Sequence, residues 1–267
     1  MNEEKTGIFL TGGGGIGSFH IGFFKALEEC GINYDYVFGC SAGSIVAGAS
    51  TYLSSDEMFE RWKELTLEAV LKIDSNKIKD LKGARKTLQL YKECFESCMR
   101  KDPNLMIDIN DIRTLLYTLL DGEKIRESNI DFGISTTLLP SMKMMNIWKE
   151  DMIGNPLEYI LASLYLPIFS RQKIIDDRSY IDLCRFRRYP IEVLKDKNCT
   201  RNIIVNIEAN NPKKLTVPIS KLFDEKSTIF INYDNKPSIL DFSSEQASEN
   251  YKNGYETSMK VLEKKLR

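Results

Sequence analysis

Long apolar runs are missing from this chain. Charged or polar residues interrupt every hydrophobic stretch before it reaches the ~20 residues that a membrane-spanning helix requires. Ahead of the first glycines the only apolar run is Ile8-Phe9-Leu10, behind an acidic Met-Asn-Glu-Glu-Lys, too short for the core of a secretion signal. A soluble, cytoplasmic protein is therefore expected. Basic excess is missing too: 37 Lys and Arg against 38 Asp and Glu leave a formal charge of -1, so the charge balance does not argue for nucleic acid or a strongly anionic surface as partner. Six cysteines without a secretion signal read as reduced thiols, not as a disulfide framework. Cys94 and Cys98 have i,i+4 spacing, but no second Cys/His pair nearby completes a tetrahedral metal site. Histidine is nearly absent, His20 being the only one.

What is present is enough for a full core. With 267 residues and 42% hydrophobic side chains, the chain suits one α/β domain, with or without a helical insertion. Thr6 to Thr11 reads as a short strand ending in Gly12-Gly13-Gly14-Gly15-Ile16-Gly17, after which Ser18 to Cys30 reads as a helix closed by Gly31. Tyr34 to Cys40 is a second buried strand and Ser41 to Leu53 a helix of small residues, completing a βαβα unit with two sharp strand-to-helix turns. From Asp56 to Ser128 the periodicity turns helical, with Ile109, Ile112, Leu115, Leu116, Leu119 and Leu120 on one face. Leu71 to Arg100 reads as a solvated helical layer or a cap over a pocket. Strands are expected at Asp131–Leu139, Met142–Trp148, Ser179–Ile181 and Ile203–Ile207, and helices at Pro156–Leu164 and Ser243–Leu266.

Two glycine turns carry the chemistry. Gly12-x-Gly14-x-x-Gly17 has the spacing of a dinucleotide loop, but the second strand ends in Phe38-Gly39-Cys40 without the carboxylate that would hold a ribose. A phosphate loop would need a Lys before Ser18. Whatever its ligand, such a loop aims backbone N–H groups at a developing negative charge near a helix N-terminus. The second turn, Gly39-Cys40-Ser41-Ala42-Gly43, fits a nucleophile elbow, whose flanking glycines permit the strained crossing from strand to helix and expose the serine oxygen. A plain helix N-cap is the alternative role for Ser41, and it leaves the two glycines and Ala42 unexplained.

The lone histidine restricts the base. A triad in the order Ser, acid, His needs a histidine after Ser41, and none follows. His20, between Phe19 and Ile21 on a helix, reads as a packed residue, which directs the search to carboxylates. Asp176 and Asp177 precede Arg178 between two strand-like runs, the composition of a hairpin turn.

At this point the sequence resembles the patatin-like phospholipases, a family that uses a Ser/Asp dyad without histidine. Thr11 to Gly17 with Phe19-His20-Ile21-Gly22 is similar to the family's oxyanion loop and following helix, and Gly39 to Gly43 to its elbow. Ala162 to Phe169 is similar to the segment before the catalytic Asp, Tyr180-Ile181-Asp182 to its Tyr-x-Asp, and Leu240-Asp241-Phe242-Ser243 to Gly254-Tyr255 to the C-terminal part of bacterial members. The sequence departs from the pattern at Ile16, where the family has Lys or Arg, and at Leu183-Cys184, where it has a glycine-containing turn.

The resemblance implies an α/β three-layer sandwich with a mainly parallel central sheet. It implies one hydrolase domain over residues 1–267, with 56–128 as a helical insertion or cap. It implies Ser41 as nucleophile and Asp182 as base, with Gly13, Gly14 and Gly15 as oxyanion donors and Gly39 and Gly43 shaping the elbow. The substrate would be a lipid ester, cleaved through an acyl-enzyme with no metal or cofactor, at most with transient contact to a membrane surface. Two other readings stand beside it: a weakened or inactive relative that binds lipid or a partner, and a dinucleotide-binding oxidoreductase.

Overall fold

The computed structural model describes residues 4–71, 85, 89, 92, 108–166, 172–182, 189–208, 226–233 and 238–266. Cys94, Cys98, Leu183, Cys184 and nearly all of the stretch from 72 to 100 lie outside them. The sheet runs β4-β3-β2-β1-β6-β7. Its strands are β1 Thr6–Leu10, β2 Tyr36–Cys40, β3 Asp131–Leu139, β4 Lys143–Trp148, β5 Ser179–Ile181, β6 Arg201–Asn206 and β7 Thr228–Asn232. Five strands are parallel, while β4 and β5 pair antiparallel to β3, so the sheet is mainly parallel as expected.

Among the described strands, β7 is the one that the sequence reading did not anticipate. Its Thr-Ile-Phe-Ile-Asn run is β-branched and aromatic, and it completes the sheet by pairing parallel with β6.

Side chains alternate across the sheet. Ile8, Leu10 and Val37 join a large core on one face, whereas Phe9, Phe38 and Ile204 pack on the other face with Tyr189, Ile191 and Leu194. The large core is roofed by α1 Ser18–Glu29, α2 Ala42–Ser50, α3 Ser55–Trp62, α4 Leu67–Leu71, α5 Ile109–Leu119, α6 Gly122–Glu127 and α7 Pro156–Leu164. The short α8 Val193–Asp196 lies on the opposite face, and α9 Ser244–Leu266 packs along α1. Helices therefore flank a central sheet.

The α1–α9 crossing is unusually close for a reason visible in the residues. Gly22 of α1 faces the backbone of Tyr251 and Tyr255, and Gly254 of α9 faces that of Phe19; a Cβ on Gly22 would come within 2.7 Å of the Tyr255 nitrogen. Small residues on both sides let the two backbones touch.

Local signals explain most boundaries. α7 begins with Asn155, whose side chain accepts from Leu157 N–H, followed by Pro at its first position. α3 has a full capping box between Ser54 and Glu57. On α5 the predicted apolar face is buried at Ile109, Ile112, Leu116 and Leu119. Asp176 and Asp177 both have positive φ, 49° and 56°, and sit between the bridged residues Ile175 and Arg178, the geometry of a tight hairpin turn. They are turn residues, as their composition suggested.

Candidate active site

The elbow is built by β2 running into α2. Ser41 has φ 51° and ψ −129°, a strained conformation for a residue with a side chain. Both ends of its peptide are held: its N–H donates to Ser163 Oγ at 2.9 Å, and its carbonyl accepts from Ser44 N–H at 2.7 Å and Ser44 Oγ at 2.6 Å. Ser163 in turn donates to the Ser135 carbonyl of β3 at 2.8 Å. Ser163 is thus a functional residue that the sequence reading quoted without assigning it a role. A hydroxyl able to accept and donate between two strands was its only signal. The flanking glycines are sterically required. A Cβ on Gly43 would lie 2.7 Å from the carbonyl oxygens of Leu10 and Thr11, and one on Gly39 would meet the Gly43 carbonyl carbon at 2.5 Å.

Asp182 reaches the same place from the opposite direction. β2 pairs with β3 only as far as Cys40 opposite Ser135. β5 takes over the same edge of β3, since β4 occupies the other, and its last pair sets Ile181 opposite Thr137. The next residues along the two strands, Ser41 and Asp182, therefore converge head-on at the level of Thr136. Cys40 and Ile181 are separated by about 7 Å along β3, two strand residues. Asp182 is 7% exposed, and its N–H donates to the Tyr165 carbonyl at 2.6 Å, which ties the end of β5 to the end of α7.

The glycine loop completes the floor. Gly12, Gly13 and Gly14 line one cavity together with Ser41, Ala42 and Asp182. Gly15 differs from its neighbours: its N–H is donated to the Ile239 carbonyl at 2.8 Å. That amide is engaged in anchoring the loop, contrary to the expectation that all three glycines present free donors. Gly14 has φ +55°, and a Cβ there would strike the Ile239 carbonyl. Asn250 of α9 supports the loop from behind, with Nδ2 3.4 Å from the Gly15 carbonyl and Oδ1 accepting from Tyr233. Ile16, where a basic residue was expected from the resemblance, is buried and belongs to the core. The Ile239 carbonyl thus takes up one of the backbone N–H groups that a dinucleotide loop would offer to a pyrophosphate.

The remaining walls are apolar. Val70 of α4, Leu115 and Leu116 of α5, Leu166 after α7, and Leu240 and Phe242 before α9 line a cavity of about 130 Å³. The described part of the helical segment thus contributes walls to this cavity. Glu208, just after β6, is an additional carboxylate on the lining and accepts from Tyr189 Oη at 2.8 Å. No group of three or more His, Cys, Asp or Glu suited to a metal occurs among the described residues, and no helix among them is long and apolar enough to cross a membrane.

His20 is fully buried, and its Nε2 lies 2.8 Å from the Thr11 carbonyl. A carbonyl partner requires the proton on Nε2, which commits that nitrogen to the base of the glycine loop. Burial lowers its pKa to about 4, only partly opposed by the bond to Thr11. The packed role expected for it holds.

Known proteins resemble this chain to different extents. The family profile described as patatin-like phospholipase matches residues 8–192. Over 45 residues, 17% of this chain and 3% of the other, the sequence is 51% identical to lysophospholipase NTE1 of Cryptococcus neoformans. A 48-residue match, 18% of this chain and 3% of the other, is 46% identical to lysophospholipase NTE1 of Yarrowia lipolytica. Both matches therefore span a small fraction of those proteins. Among solved structures, VipD from Legionella pneumophila superimposes with a TM-score of 0.50 at 15% identity, covering 98% of this chain and 67% of VipD, a likeness of fold. The profile match runs from within β1 past β5 and takes in the glycine loop, the elbow and Asp182: the chain belongs to the patatin-like phospholipase family.

Proposed function

We propose that this protein is a serine acyl hydrolase that cleaves ester bonds of lipids, with Ser41 as nucleophile and Asp182 as its base. The observation that carries the reading is the head-on approach of β2 and β5 along β3, which brings Ser41 and Asp182 to one level beside the glycine loop, on the floor of an apolar cavity. Ser41 Oγ attacks the ester carbonyl as Asp182 accepts its proton; the same proton then goes to the departing alcohol. Water, deprotonated by Asp182, attacks the acyl-enzyme and releases the fatty acid. The N–H groups of Gly13 and Gly14 hold the oxyanion, each such donor being worth ~3 to 4 kcal/mol in acyl transfer. The positive end of α2 lies behind Ser41. The apolar walls take the acyl chain, each buried methylene contributing about 0.8 kcal/mol.

On this reading residues 1–267 act as one hydrolase domain, with α4 and α5 as part of a helical cap over the site. The protein meets its substrate from the cytoplasm by transient contact with a membrane surface. A fluorophosphonate probe is expected to label the wild type and not Ser41→Ala, and a lipid panel assayed in parallel identifies the ester cleaved. Asp182→Asn is expected to lower turnover by about a hundredfold or more with an unchanged melting temperature. Labelling that survives Ser41→Ala would overturn the assignment, and full turnover by Asp182→Asn would reassign the base.

A further inference from the structure

A second, small apolar cavity, of about 20 Å³, lies behind the catalytic one. The two share three wall residues, Ile45, Trp62 and Leu65. Beyond that common wall the second cavity is bounded by side chains such as Ile21, Ala49 and Met58, with Arg61 as its charged residue. Arg61 donates to the Leu119 carbonyl, which ties the end of α3 to the end of α5 across the cavity's outer side. A void of this size holds about one water-sized group, so room for a longer chain has to come from the wall that separates it from the catalytic cavity.

Trp62 is the largest part of the common wall, and its ring is fixed. It is 4% exposed, and its Cζ2 lies where a Cβ on Gly17 would meet it at 2.8 Å. The ring therefore fills the space above the end of the glycine loop and cannot swing towards the loop without collision. Its helix is held at the start by the Ser54/Glu57 capping box. Resting on the proposed acyl-hydrolase reading, we infer that Trp62 sets the acyl-chain length this enzyme accepts. The chain enters from Ser41, runs along the apolar walls and stops against the indole, while the cavity behind remains closed to it.

Chain-length profiles test this. kcat/KM is measured for the p-nitrophenyl esters from butyrate to stearate, each value divided by that for butyrate. For the wild type the ratio rises by up to roughly fourfold per added methylene, the worth of one buried CH₂, and then levels at the length where the chain meets Trp62. Trp62→Ala removes the indole, joins the space it leaves to the second cavity and moves that break to esters longer by about two carbons or more. Adding Ala49→Phe, which puts a ring from α2 into the joined space, returns the break to its wild-type position. Should Trp62→Ala melt too early to assay, Trp62→Leu opens the same wall less and gives a smaller shift in the same direction. An unchanged break in the Trp62 variants, with esters still hydrolysed, overturns the inference and leaves the hydrolase reading intact. A shift that Ala49→Phe does not reverse also overturns it, because the added length would then not occupy this cavity. A wild type that hydrolyses no ester and takes no fluorophosphonate removes the hydrolase reading itself.

Discussion

Replacing Ser163 with alanine removes a single oxygen, and the structure sets what that oxygen holds. It accepts the Ser41 N–H and donates to the Ser135 carbonyl, inside a helix end with no exposure. An N–H left without its acceptor costs roughly 1–3 kcal/mol. Ser41 itself stores about 1–3 kcal/mol of backbone strain, retained because its peptide is tied at both ends. Two limits follow. If the elbow keeps its shape, the variant loses about 2 kcal/mol of stability, a fall in melting temperature of roughly 4–8 °C, and kcat changes little. If the elbow relaxes instead, released strain offsets the lost bond and the melting temperature barely moves. The Ser41 oxygen is then displaced, and a misplacement of about 1 Å costs on the order of a hundredfold in kcat. KM for a short ester stays near wild type in both limits, because the cavity walls are unaltered. Thermal melting and steady-state kinetics on the same preparation read both quantities. A variant with unchanged melting temperature and unchanged kcat would refute the claim that Ser163 positions the nucleophile.

Two further predictions concern stability. Ser41→Gly places at φ 51° the one residue at ease there, and is expected to raise stability by about 1 kcal/mol, seen as a melting temperature higher by roughly 2–4 °C in a protein that no longer takes the probe. A melting temperature below wild type would mean that the elbow is not strained. His20, with its pKa lowered from 6.5 to about 4 by burial, stays neutral in the folded chain while the unfolded chain takes up a proton below pH 6.5. Stability is therefore full above pH 6.5 and falls by roughly 3 kcal/mol as the pH drops to about 4. In His20→Gln that part of the pH dependence should vanish, and an equally steep decline in the variant would assign it to other groups.

The sequence made the local parts of this architecture legible and left the long-range ones hidden. Strand-to-helix turns at Gly12–Gly17 and Gly39–Gly43 announce themselves because glycine, serine and small apolar residues are demanded by backbone geometry within a few positions. Helix α7 is announced by Asn155-Pro156, and the Asp176-Asp177 turn by its own composition. The engagement of Gly15 with Ile239 has no such local signature, since it joins a loop to a backbone carbonyl more than two hundred residues away. The role of Ser163 was hidden for the same reason: its value lies in its distance from Ser41 and Ser135, which only the pairing of β2 with β3 fixes. β7 carried a recognisable pattern in Thr228–Asn232, but its place beside β6 is a non-local parallel pairing. The head-on meeting of β2 and β5 belongs to this second class as well.

The anchoring of the glycine loop by Ile239 and Asn250 also orders events during synthesis. The elbow leaves the ribosome early, whereas the carbonyl that grips Gly15 and the amide that supports it follow roughly two hundred residues later. A nascent chain thus carries Ser41 long before the glycine loop can take its final shape. A chain that stops before Ile239 lacks both the carbonyl that holds Gly15 and the amide that supports the loop from behind.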